Sequence, residues 1–153
     1  MAAFIWNTNP RMWSVAPPFA DSFDVLKAYI CDPSAYVYWS TPRHQDEIAA
    51  GDAAYILRTP HERGPSGIVA CGVVEEPPQQ LVAGGSVRFV HAPRLAPPGW
   101  DEAVAPSSWK TGIRIEFTFW DAPLDAGRAA AIGSVERLSD EDAAAIAKMM
   151  KGR

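Results

Sequence analysis

The 153-residue sequence predicts an α+β fold: a curved, mostly antiparallel sheet or open β-barrel with flanking helices. Three observations carry that prediction. The apolar patterns run strand, helix, several strands, then helix, an order that suits one sheet with helices at its ends. "GIVACGVVEEP" (67–77) is nearly apolar throughout, as a strand buried on both faces must be. "GIRIEFTFW" (112–120) alternates, with Ile113, Ile115, Phe117 and Phe119 on one face and Arg114, Glu116, Thr118 and Trp120 on the other.

The elements follow in order. "AFIWN" (3–7) reads as a first strand ending in Trp6 and Asn7. "ADSFDVLKAYI" carries Phe23, Leu26 and Ile30 at helical spacing, with Asp21 as N-cap, Asp24 three residues on, and Pro33 beyond its end. "AYVYW" (35–39) is the second strand, and "IAAGD" a short helical turn whose exit needs Gly51 at positive φ. "AAYILR" (53–58) is the third strand, and "TPHERGPSG" supplies the turn before the fourth. "GGSVRFVHA" (84–92) is expected as a fifth strand. The last helix spans about 139–151, capped by Ser139, with acids in its first turn and lysines in its last, matching the helix dipole.

Length and composition narrow the possibilities. A chain of this size buries about 70% of its unfolded surface, so residues 1–153 are read as a single domain with a core of its own. Two cysteines are too few for a disulfide framework, and Cys71 lies in an apolar run as a buried thiol would. With no apolar stretch near 18 residues and no leader-like start, a cytoplasmic protein without membrane contact is expected. The net charge of −4 (14 basic, 18 acidic) excludes a protein that lives by non-specific attraction to phosphate. Contact with nucleic acid would need a local basic rim. The 14 prolines fall mostly between the apolar runs and point to stiff connections.

Catalytic and metal-binding patterns are missing from the sequence. His44, His61 and His91 fall in loops at spacings that match no zinc site, and no nucleophile elbow, phosphate loop or dinucleotide fingerprint occurs. Ser66, in "GPSG", is best explained as a turn residue, and Glu75–Glu76 and "DED" (140–142) as a solvated strand end and a helix N-terminus. No catalytic residue, metal or cofactor is expected.

The six tryptophans are the unusual feature. An indole buries a large area and needs one hydrogen-bond partner, so packing is the ordinary explanation for each. Trp39 and Trp109 stand apart because each lies where a strand meets a loop and each precedes hydrogen-bonding residues, "WST" and "WKTG". Two indoles facing across a gap would hold a flat ring at about 1–3 kcal/mol per stacked base.

At these stretches the sequence resembles the EVE domains, relatives of the YTH domains within the PUA-like superfamily. The resemblance rests on "FIWNTNPRMW", "YWSTPRHQDEIAAGDAAYILRT", "GPSGIVACGVVEEPP" and "SSWKTGIRIEFTFWDAPL" in that order, roughly residues 3–125. It implies a reader that holds a modified, for example methylated, base flipped from DNA or RNA in an aromatic cage. Carried over by position, Trp39 matches the first wall and Trp109, or Trp100, the second. Ser40 and Thr41 match the hydrogen-bonding turn, Asn7 a base-edge contact, and Trp13 a further ligand-side aromatic. Arg43, Arg58, Arg63, Lys110 and Arg114 are the candidate phosphate rim. Any effector would be a separate protein. On this reading Trp39→Ala abolishes binding while the fold survives. Two other readings compete: a small hydrolase of a modified nucleoside, which needs a convergent Lys or acid pair, and a module for a small ligand or protein partner.

Overall fold

The computed structural model describes residues 1–9, 21–81, 89–95, 108–125 and 134–152. Its order is β1 (Ala3–Thr8), α1 (Ser22–Ile30), β2 (Tyr36–Ser40), β3 (Ala53–Arg58), β4 (Gly67–Gln80), a 3-10 turn (Ala92–Leu95), β5 (Trp109–Thr118), β6 (Val135–Arg137) and α2 (Asp140–Lys151). The strands form one six-stranded sheet, β2-β5-β4-β3-β1-β6, antiparallel except for the β1–β3 pair. This is a mixed α+β architecture with an open sheet.

The sheet must curl. β2 and β1 are four strands apart, about 19 Å in a flat sheet at 4.8 Å per step. Yet the Trp6 indole Nε1–H donates to Thr41 Oγ1 at 3.4 Å. Arg43, just past β2, reaches Glu136 on the far edge strand at 2.6 Å. The two edges therefore approach each other at the Trp39 end, and residues from opposite ends of the sheet become neighbours.

Alternation along the strands feeds two cores. Phe4, Trp6, Val37, Trp39, Ala54, Ile56, Ile113 and Ile115 point to one, which α1 covers with Phe23, Leu26, Tyr29 and Ile30. Ile5, Tyr55, Leu57, Ile68 and Cys71 point to the other, which α2 covers with Ile146. β4 runs third from one edge and contributes to both, the position its continuous apolar run predicts. A smaller cluster of Tyr36, Tyr38, Leu81, Phe89 and Leu95 backs β2. The helix caps fall where expected: Asp21 Oδ1 accepts from the Asp24 N–H and Ser139 Oγ from the Asp142 N–H.

Four expectations change. Residues 84–88 lie outside the described residues, but Phe89–His91 form a bend and turn rather than strand, and Ala92 already begins the 3-10 turn. The alternation of β5 breaks at a register shift between Cys71 and Gly72, which leaves Phe117 59% exposed although its spacing places it with Ile113 and Ile115. "IAAGD" is a turn and not helix; Gly51 holds φ +94 there, and Asp52 accepts from the Ala2 and Ala49 N–H groups. β6 is a strand that its three residues were too few to announce; β1 supplies its pairing. No helix among the described residues is long and apolar enough to cross a membrane.

Candidate functional site

The β2–β5 pairing sets the geometry at the strand lip. Trp39 is opposite Thr111 and Ser40 opposite Lys110, so Trp109, two residues before Thr111, is the diagonal neighbour of Trp39 on the same face of the sheet. Diagonal neighbours lie about 7–8 Å apart. The pairing therefore makes Trp39 and Trp109 neighbours on one face at the end of the sheet.

Their environments differ. Trp39 is 6% exposed and belongs to the main core, 6.1 Å from the ring of Tyr29. Trp109 is half-buried. Under them runs a short polar network. Thr41 Oγ1 lies 2.5 Å from Thr111 Oγ1, 3.1 Å from the Trp39 carbonyl, and accepts from the Trp6 indole. The Thr41 N–H donates to the Trp109 carbonyl at 2.9 Å, which locks the turn to the start of β5. Thr41 and Thr111 are both fully buried, so Thr41 fastens the turn instead of presenting a free hydroxyl. Ser40 is exposed, and its Oγ accepts from Lys110 Nζ at 2.9 Å. Burial pushes the Lys110 ammonium below the usual lysine range. Asn7 follows Trp6 on β1 and is half-buried, with its backbone N–H on the Ser134 carbonyl. Trp39, Ser40, Thr41, Trp109 and Lys110 thus meet at one place, and Trp6 brings Asn7's strand beside them. Trp13 and Trp100 lie outside the described residues.

The expected basic rim is not a ring of free cations. Arg43 pairs with Glu136 at 2.6 Å, Arg63 with Asp21 and Asp24 at 2.8 and 2.9 Å, and Arg114 with Glu116 at 3.7 Å. Arg58 is 1% exposed. Its Nη1 donates to the Trp120 carbonyl at 2.9 Å and its Nη2 to the Pro65 carbonyl at 2.8 Å, with the guanidinium against the Phe23 and Trp120 rings. Trp120, the tryptophan that sequence position makes most ordinary, is part of that second aromatic assembly. It lies just past β5, next to Asp121.

A third polar assembly backs β2. Glu76 Oε2 accepts from the hydroxyls of Tyr36 and Tyr38, the latter at 2.5 Å, while Oε1 accepts from the Val90 N–H at 2.9 Å. The Tyr38 oxygen accepts in turn from the His91 N–H at 2.8 Å. Burial, then the neighbouring carboxylate, push both phenols above the usual tyrosine range. "EEPP" reads as a solvated strand end, and for Glu76 the fold overturns that. Its carboxylate pins the 89–91 turn to the sheet. Among the described residues no group of three or more His, Cys, Asp or Glu could hold a metal ion.

No family model matches the sequence, and no curated protein matches it. Solved structures do match in fold. Human THYN1, in complex with 5-methylcytosine-containing DNA, superposes with a TM-score of 0.58 at 10% identity over 97% of each chain. A hypothetical protein from Leishmania major gives 0.55 at 12% identity, over 100% of this chain and 98% of that one. A Pseudomonas putida protein gives 0.55 at 12% identity, over 96% and 98%. At these identities the likeness establishes a shared fold.

Proposed function

We propose that this protein is an EVE-like reader of a modified base flipped out of DNA or RNA, without catalytic activity, and that the base is received at the β2–β5 lip. The observation that carries the reading is the same-face, diagonal placement of Trp39 and Trp109, with Ser40 and Lys110 at the edge of the gap between their strands. The fold shared with a protein bound to 5-methylcytosine DNA supports it. In this arrangement Trp39 is the rear wall, fixed by core packing, and the half-buried Trp109 is the wall a base slides against. Strand alternation turns Ser40 and Asn7 away from the face that carries Trp39 and Trp6, so their hydrogen bonds go to the nucleic acid flanking the base. Extrusion costs a few kcal/mol, which stacking and these bonds offset. A methyl group adds only about 0.8 kcal/mol, so selectivity must come from polar groups that the wrong base leaves unpaired.

The burial of Trp39 favours a competing reading in which that indole is structural alone. It also changes the experiment, because Trp39→Ala would damage the fold. Trp109→Ala is the cleaner variant. Fluorescence anisotropy against oligonucleotides bearing different modified bases should show one modified base preferred over the plain base, and at least tenfold weaker binding by Trp109→Ala. Equal affinity of wild type for every oligonucleotide would refute the reader.

A further inference from the structure

A cavity of about 150 Å³ opens between the start of α1, the β3–β4 connection and the exit of β5. Phe23, Lys27, Arg58, Gly64, Trp120 and Asp121 line it. Its floor is chemically unbalanced. The Arg58 guanidinium is buried, yet among the described residues no carboxylate lies within ion-pair distance of it; two backbone carbonyls and two aromatic rings are its partners. Its Nε–H has no acceptor, nor has the Trp120 indole Nε1–H, on a side chain 5% exposed. Buried donors are ordinarily satisfied, so two unsatisfied ones, on and beside a cation that only the solvated Asp121 offsets at longer range, are a demand for an acceptor that carries charge.

The surrounding residues fit that demand. Arg63 also lines the cavity, but Asp21 and Asp24 already neutralise it. Lys27 at the rim is only 3.9 Å from an Asp121 whose side chain is 88% exposed, a solvated pair that an anion can displace. Gly64 keeps the floor close: a Cβ there would stand 2.6 Å from Arg58 Nη2.

We propose that this cavity binds a single phosphate group, whose oxygens accept from Arg58 Nε–H and the Trp120 indole N–H while Lys27 closes the rim. A guanidinium beside a second fixed donor matches the spread oxygens of a phosphate better than it matches a spherical anion. The phosphate is either a free or mononucleotide phosphate or one in a polymer backbone. The second source rests on the base-reader reading. α1 runs from Phe23 at this cavity to Tyr29 against Trp39, six residues or about 9 Å of axis, so a strand with its base at the lip could lay a flanking phosphate here. The first source does not depend on that reading.

The test follows the Trp120 indole N–H resonance, assigned with Trp120→Phe, by NMR. The full chain is titrated with inorganic phosphate, then a mononucleotide, then a short unmodified oligonucleotide, against sodium chloride at matched ionic strength. A saturable shift with phosphate assigns a free oxyanion site, and one with the oligonucleotide alone assigns a backbone phosphate; either supports the proposal. Arg58→Lys should bind at least tenfold more weakly and Lys27→Gln a few-fold more weakly, with Arg137→Ala unchanged as an exposed-charge control. Should Arg58→Lys not fold, the wild-type titration alone decides. No shift with any of the three probes into the tens of millimolar, or the same shift with chloride, overturns it. The phosphate arm contains no base, so a failed base reader leaves its result intact.

Discussion

Two tryptophans at strand ends, Trp39 and Trp120, are almost equally buried and do different work. Around Trp39 the polar atoms are closed among themselves: Thr41, Thr111, the Trp6 indole and the Trp109 carbonyl answer one another. Around Trp120 they are not closed, because Arg58 Nε and the indole nitrogen keep their protons without an acceptor. Burial alone would rank the two sites alike. Hydrogen-bond satisfaction separates a closed polar network from an open one.

The largest effect expected is at Trp39. Trp39→Ala should destabilise the protein by about 3–5 kcal/mol, the usual cost of emptying a core indole site. Trp109→Ala, on the half-buried partner, should cost about 1–2 kcal/mol. Urea midpoints of the two variants check this, and equal losses would dissolve the distinction between rear wall and sliding wall.

An alkaline titration sharpens the contrast between closed and open polar groups. Burial pushes Tyr29 up to about 12 from its ordinary 10, and Tyr36 and Tyr38 are raised as well. A raised phenol keeps its proton when the unfolded chain has already lost its own. Stability is therefore whole below about pH 10 and declines as the pH rises through the folded values, from about 10 to 12 and beyond. Urea midpoints should be level up to about pH 9 and fall above 10, with tyrosinate absorbance for these residues arriving only with unfolding. Glu76→Gln, which disturbs the acceptor shared by two of those phenols, should lower the stability by about 1–3 kcal/mol at neutral pH. A neutral result would mean the carboxylate is not what pins the 89–91 turn.

The smallest effect is at the seam between the sheet edges. Arg43→Ala removes an exposed pair with Glu136 and should cost about 0.2–1 kcal/mol, read as a small shift in melting temperature that vanishes in high salt. A larger loss would mean that the ion pair, rather than the Trp6–Thr41 contact, holds the edges together.

Much of the fold was legible because its signals are local. Asp21 and Ser139 cap their helices by bonding N–H groups three residues away, and "GIVACGVV" is apolar because both of its faces are covered. The misreadings came where distant chain sets the outcome. Phe117 alternates correctly and is turned out by a register shift against β4. Glu76 looks solvated until Tyr36, Tyr38 and Val90 arrive from elsewhere in the chain. Arg58 looks like a surface cation at a strand end until Phe23 and Trp120 close over it. The candidate lip was legible in its residue types, since "YWST" and "WKTG" announce an indole beside hydroxyls. Which hydroxyl is exposed was not, since Thr41 is buried against Thr111 and Ser40 is left outside.

The sequence by itself determined the caps, the central strand, the α+β order and the placing of indoles at strand ends, because each depends on contacts within a few residues or on a burial pattern that repeats every two. The tertiary structure alone decided which indole is packed in the core, which arginine is a buried cation and which carboxylate is a clamp. Those depend on contacts between distant parts of the chain, β2 with β4, β3 with α1 and the exit of β5, and β2 with β1 through the curl of the sheet, which no single stretch encodes.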